Sequence, residues 1–267
     1  MIKNITLGQY FPGNTIVHRL DPRIKLIIAV LFLVTVFVVR TWWGFVALAA
    51  LFIYITLLAK VGMRTILRSI KPLLFIIIFT FILNILFFNP QDPTHILWQW
   101  GILKISTDGI QKAVYISIRL ILLIFATSLL TLTTSPMQLT DAMESLFAPL
   151  KKIKFPVHEM AMMMSIAMRF IPTLVDETDR IMKAQTARGA EFDSGNLIKK
   201  AKNMIPLLVP LFVGAFKRAD ELAMAMESRC YHGGEGRTKM KVLTLNHTDI
   251  WVTVVMCCLC VAFMIWL

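Results

Sequence analysis

Apolar positions crowd into five long runs, at residues 24–39, 44–59, 72–88, 114–132 and 250–267. Each has roughly 16–20 residues, enough to cross a hydrocarbon core of ~30 Å when its flanks help. Trp42 and Trp43 stand between the first two runs, and Trp98, Trp100 and Trp251 flank others, as an interfacial aromatic belt requires. Between the third and fourth runs, "LWQWGILKIS" alternates like strands, which predicts a short hairpin within 89–109.

The segment 133–249 has another rhythm. In "TLTTSPMQLTDAMESLFAPL", Thr140 or Asp141 can cap a short amphipathic helix with Met143, Leu146 and Phe147 on one side. Pro149 and "KKIKFP" end it. The pattern then predicts a long helix from about His158 to Ala187, which Pro172 should bend or divide. Its apolar stripe is Leu174/Val175, Thr178, Ile181/Met182 and Gln185. Asp176, Glu177, Asp179, Arg180 and Lys183 lie opposite, with Asp176–Arg180 and Asp179–Lys183 spaced as i,i+4 pairs. At 100° per residue, Arg188 falls about 20° from Glu177, on the polar face at the helix end, with Gly189 as the stop.

A second long helix is expected from about Asn203 to Arg229. Its first half, "MIPLLVPLFVGAF", is apolar all round yet too short to span, so burial is expected. Its second half carries a stripe of Ala215, Ala219, Leu222 and Met226, narrow enough for two helices to approach closely. Eleven of the 16 Met residues fall between 137 and 226, so they either fill a helical core or form an adaptable contact surface.

Composition agrees with the runs. The chain is 57% hydrophobic with a mean hydropathy of +0.70, above the usual soluble range of about 45–50%. The net charge of +12 would suggest nucleic acid in a soluble protein. Here topology explains it and no nucleic acid is expected. The leader carries four Lys/Arg, segment 60–71 four, and 133–249 sixteen, whereas the other side has only Arg40, Lys104 and Lys112. Positive charge marks the inside, so the N-terminus is read as cytoplasmic and the C-terminus as external. No cleavage site follows the first run, which is read as a retained signal anchor.

Site chemistry is sparse. Cys257, Cys258 and Cys260 sit in the last apolar run and Cys230 in a basic loop, with no zinc spacing. The five His are scattered, and "GGEGRT" lacks the ending of a phosphate-binding loop. No catalytic, metal or cofactor site is expected. Within the runs, Arg119 is the only deep charge and Asn84 the main amide, and Arg119 is assigned to a carbonyl or a helix end rather than to substrate. A self-sufficient carrier would show intramembrane carboxylates or broken helices. A permease subunit of an ordinary ABC importer would need a polar path through its spans. A membrane-anchored basic adaptor would have no use for paired arginine-tipped helices.

Four stretches carry a family resemblance: "GQYFPGNTIVHRLDPRIKL", "SLLTLTTSPMQLTDAMESLFAPLKK", "MRFIPTLVDETDRIMKAQTARG" and "IPLLVPLFVGAFKRADELAMAMESR". Together they run almost end to end, and the chain resembles the transmembrane T component of energy-coupling factor (ECF) transporters. That resemblance implies an all-α integral membrane protein with about five transmembrane helices, two long crossing cytoplasmic coupling helices and one short one. The division would be 1–134 for four spans, 135–249 for the coupling module and 250–267 for the fifth span. It also implies a multi-pass protein of a prokaryotic cell membrane that carries ATP-driven motion to a membrane S component taking up vitamins or metals.

In such an importer two ABC-type ATPases bind the ATP and Mg, so the T component itself is not an enzyme. The resemblance assigns ATPase docking to Ala187, Arg188 and Gly189 on one helix tip and to Ser228, Arg229 and Cys230 on the other. The family's second motif is usually Ala-Arg-Gly. Here Cys230 replaces its glycine and lacks glycine's freedom at positive φ, so Gly233-Gly234 is the alternative helix stop.

Overall fold

The computed structural model describes residues 10–87, 96–100, 103–192, 196–233 and 244–266. Among these residues, contacts separate two units, one of 10–142 together with 244–266, the other of 143–233.

The first unit begins with a short turn, α1 (Ile16–Arg19), and helix α2 (Pro22–Val38). Asp21 caps α2 by accepting from the Arg23 N–H at 2.9 Å, with Pro22 in the first turn, where no N–H is needed. Helix α3 (Trp42–Ala59) starts on the Thr41 cap. Segment 60–71, between the second and third apolar runs, is mostly helix α4 (Met63–Ile70), which buries Ile66 and exposes Arg64 and Arg68. A 3-10 turn joins it to α5 (Leu74–Phe87).

The expected hairpin is present as β1 (Ile96–Trp100) and β2 (Leu103–Ser106), antiparallel with Trp100 opposite Leu103. Helix α6 (Thr107–Thr133) begins earlier than its apolar run, because Ser106 accepts from the Gly109 N–H at 3.0 Å and lets a polar first turn join. Helix α11 (His247–Trp266) closes the unit. Among the described residues, three helical stretches are long and apolar enough to cross a membrane: Trp42–Ala59, Met63–Leu86 and Thr107–Thr133.

Helix α6 packs against α2, α3, α4 and α5, and α11 packs on α2. The core between them includes Phe32, Val36, Phe45, Leu48, Phe52, Ile66 and Leu122. Several hydroxyls and the amide of these helices bond within their own helix. Thr35, Thr56, Ser117 and Thr127 donate to carbonyls one turn back, and Asn84 donates to the Thr80 carbonyl at 2.8 Å. Arg119 donates from Nε to the Val36 carbonyl at 3.2 Å and from Nη2 to Val39 at 3.1 Å. Its guanidinium lies 5.9 Å from the Phe37 ring centre and 5.8 Å from that of Phe45. The deep charge therefore caps the C-terminal end of α2, as expected of it, where carbonyls lack helical partners and a cation suits the helix dipole.

At the opposite end of α2 the leader acts as a strap. The Phe11 N–H reaches the Leu132 carbonyl at 3.0 Å, and Lys25 Nζ donates to the His18 and Thr133 carbonyls at 2.9 and 3.0 Å. The Asp21 N–H meets Asp249 Oδ1 at 3.2 Å, which brings α11 into the same node. Lys25, counted in the sequence among the leader's topological charges, is therefore buried and spent on helix-end carbonyls.

The second unit holds the rest. Helix α7 (Pro136–Phe147), on which the division between units falls, starts earlier than expected. Ser135, not Thr140 or Asp141, is its cap. Ser135 Oγ accepts from the Gln138 N–H while Gln138 Oε1 accepts from the Ser135 N–H, a reciprocal capping box. A 3-10 stretch through Ile153 follows. Helix α8 (Val157–Ala187) then runs 31 residues and is not divided at Pro172. Its start is tied to α7 by His158 Nδ1 and Glu144 Oε1 at 3.1 Å. A short α9 (Leu197–Asn203) leads into α10 (Ile205–Glu227).

Candidate functional site

The six residues singled out in the sequence lie at the C-terminal tips of α8 and α10, and the two tips share one backbone geometry. Arg188 is the C-cap of α8, with φ −86°. Gly189 follows with φ +87°, its N–H bonds the Thr186 carbonyl at 2.9 Å, and the Ala190 N–H reaches back to Gln185 at 3.0 Å. At the other tip Ser228 and Arg229 follow the last turn of α10, and Cys230 has φ +55°. The Cys230 N–H bonds the Glu227 carbonyl at 2.9 Å and the Tyr231 N–H reaches Met226 at 3.1 Å.

Each set is a Schellman closure, with the arginine one residue before the left-handed position. Cys230 thus takes the glycine role directly, and the helix stop does not move to Gly233-Gly234. Ala187, Arg188, Gly189, Ser228, Arg229 and Cys230 are all exposed. Among the described residues neither guanidinium is ion-paired. Each therefore presents five donors in a planar fork with no ion-pair partner among the described residues.

Behind the tips, α8 and α10 pack on each other. The expected stripe of α8, Leu174, Val175, Thr178, Ile181, Met182 and Gln185, is half-buried. On α10 the inner line is Leu207, Leu211, Gly214, Ala215, Arg218, Leu222 and Met226. Glu177, placed on the polar face by the sequence pattern, instead lies half-buried and ion-paired with Arg218. A Cβ at Gly214 would come within 3.2 Å of Glu177 Oε1, so the small residue makes room for that carboxylate. Of the two i,i+4 pairs expected on α8, Asp179–Lys183 forms at 2.9 Å, whereas Asp176–Arg180 does not close within the described residues.

The first half of α10 departs from expectation. Met204, Ile205, Leu208, Val209, Phe212, Val213 and Phe216 form an exposed stripe, although the composition implied burial. Seven of the 11 methionines in this region, Met137, Met143, Met160, Met163, Met164, Met204 and Met224, are exposed too, so they build surface rather than core. An apolar face of this kind on a folded chain marks a contact with protein or membrane.

Other chemistry is thin. No cluster of three or more His, Cys, Asp or Glu among the described residues could hold a metal. His18, on α1, bonds Thr15 Oγ1 at 2.6 Å and the Phe11 carbonyl at 3.1 Å. Burial holds its pKa below the ordinary 6.5, opposed by the Phe11 bond and reinforced by the Lys25 charge.

Apolar helices of spanning length, together with a helical unit that exposes arginine tips and an apolar face, define an integral membrane protein with a helical non-spanning part. The comparisons make this specific. The family model for CbiQ, cobalt transport protein, matches residues 13–240. The energy-coupling factor transporter transmembrane protein EcfT of Ruminiclostridium cellulolyticum is 52% identical over 100% of this chain and 97% of its own. The proteins of the same name from Bacillus subtilis and Lactococcus lactis are 48% and 45% identical, over 95% and 99% of this chain and 95% and 98% of theirs. The chain belongs to this family, the transmembrane components of energy-coupling factor transporters. It is therefore a membrane-embedded transport component rather than the permease of an ordinary ABC importer.

Proposed function

We propose that this chain is the mechanical link of a micronutrient importer, carrying the motion of two cytoplasmic ABC-type ATPases to a membrane S component that binds the vitamin. Arg188 docks in one ATPase and Arg229 in the other, with Ala187, Gly189, Ser228 and Cys230 shaping the turns that present them. The observation that carries this reading is the pair of matching Schellman tips, each ending in an exposed arginine with no ion-pair partner among the described residues. ATP and Mg belong to the ATPases, and this chain catalyses nothing itself. The apolar stripe from Met204 to Phe216 is the face offered to the S component.

Pull-down of the ATPases from detergent, alongside vitamin uptake by cells, tests the docking. Losing one partner of a buried charged hydrogen-bonded pair costs roughly 2–5 kcal/mol, about 30-fold or more in affinity. Arg188→Ala and Arg229→Ala should each weaken one ATPase contact while the other tip keeps the complex tethered. The double variant should come apart, and uptake should fail in all three. Lys should rescue poorly, because it keeps the charge and not the fork. Phe212→Asp should shed the S component and retain both ATPases. Normal assembly and uptake by the double arginine variant would sink the docking role.

The positive charge of segments 60–71 and 133–249 supports a cytoplasmic N-terminus and coupling module, with the C-terminus outside. A cysteine at the exposed Ile198 should react with membrane-impermeant maleimide only after the cells are opened. Labelling in intact cells would reverse the orientation.

A further inference from the structure

The Glu177–Arg218 ion pair occupies a singular place in the coupling module. Glu177 lies 11 residues before Arg188, and Arg218 lies 11 residues before Arg229. At 1.5 Å per residue each arm is about 16 Å long. The same offset of 41 residues that separates the two tips separates the two partners of the pair.

The offset also relates the packing faces of the helices. Phe170 and Leu211, Leu174 and Ala215, Ile181 and Leu222, and Gln185 and Met226 are all half-buried counterparts. The two helices are therefore alike about the ion pair. The half of α8 before the pair faces the half of α10 beyond it, since Ile166, Phe170 and Leu174 share a cavity with Leu222, Ala223 and Met226. The arginine tips consequently leave the pair in opposite directions.

Contact is close at the pair and open beside it. Gly214 admits the Glu177 carboxylate. Next to the pair is a cavity of about 290 Å³ whose α10 wall includes Ala215, Ala219 and Ala223. Where helices meet at an ion pair and are partly separated beside it by alanines and an open cavity, their angle can change with less disruption than a fully interlocked seam of large side chains would allow.

We propose that Glu177 and Arg218 form the pivot of the two arms: positioning residues that hold α8 and α10 in register while their angle changes, so that displacement of one tip is matched at the other. An Arg–carboxylate pair suits this, because its planar fork resists sliding along the helices while its flexible stems accept rotation. The proposal rests on the reading that the tips dock in two ATPases, but its test does not.

Spin labels placed at Ala190 and Tyr231 of the full chain in lipid nanodiscs report the distance between the arms by pulsed electron resonance, with no ATPase present. The wild-type pair should give one narrow distribution. Glu177→Gln and, from the other side, Arg218→Gln should each broaden it. The exchange Glu177→Arg with Arg218→Glu should narrow it again, which loss of an ordinary surface contact would not do. In the assembled transporter both Gln variants should keep both ATPases and hydrolyse ATP, yet lose at least about five-fold in uptake per ATP, the lower end of a working coupling energy. A distribution as narrow as wild type in the Gln variants, or as broad in the exchange variant as in them, overturns the pivot. Failure of arginine-tip variants to release ATPases would instead overturn docking and leave the arm distances untouched.

Discussion

Replacing Cys230 by glycine should tighten the second arginine tip, and replacing Gly189 by alanine should loosen the first. Both residues occupy the left-handed position of a Schellman closure, at φ +55° and +87°. An L-residue there costs roughly 1–2 kcal/mol from the contact between its Cβ and the following carbonyl. Glycine avoids that contact but carries about 0.4–1 kcal/mol of extra freedom in the unfolded chain, which offsets part of the gain. The net difference is about 1 kcal/mol, or roughly five-fold in a local opening equilibrium. A Cβ on Gly189 would meet nothing within 4 Å, so no steric clash obscures the backbone effect.

The amides that report it are those of Ala190 and Tyr231, which close on Gln185 and Met226. Hydrogen exchange of these tips should slow about five-fold at 229–231 in Cys230→Gly and quicken by a similar factor at 188–190 in Gly189→Ala, as expected for local opening. Cys230→Ala should leave the second tip unchanged, since it keeps the Cβ. Exchange that is insensitive to glycine at 230, or faster with it, would refute the claim that Cys230 bears the strain of the turn.

Arg119→Met should destabilise the membrane unit by about 2 kcal/mol, because the carbonyls of Val36 and Val39 lose their donor in apolar surroundings. Thermal unfolding in detergent measures this, and a variant as stable as wild type would remove the capping role. Arg119→Lys should recover part of the loss, because one ammonium can still reach a carbonyl.

Much of the protein was legible in its sequence because the strongest physical signals are local. Apolar runs of spanning length and the arginine-tipped ends of α8 and α10 each follow from chemistry within a few residues. The role of Arg119 also followed, since a deep charge without a nearby carboxylate must find backbone acceptors. The start of α7 was local too, and "SPMQ" holds its capping box in plain view, but Thr140 and Asp141 offered competing caps five and six residues after Ser135.

What the tertiary structure decided depends on meetings between distant segments. Glu177 looks like a solvent-facing carboxylate until Arg218, 41 residues away, is brought against it. Lys25 looks like a flank charge until the ends of α1 and α6 supply carbonyls to it. Composition predicted burial for the first half of α10, yet composition measures the preference of a surface for leaving water and does not say which surface will cover it. The chain leaves that face exposed. Cys230 shows the converse: its residue type argues against a left-handed turn, but the two closing hydrogen bonds at the end of α10 hold it there. A propensity worth about 1 kcal/mol yields when the surrounding backbone bonds together are worth more.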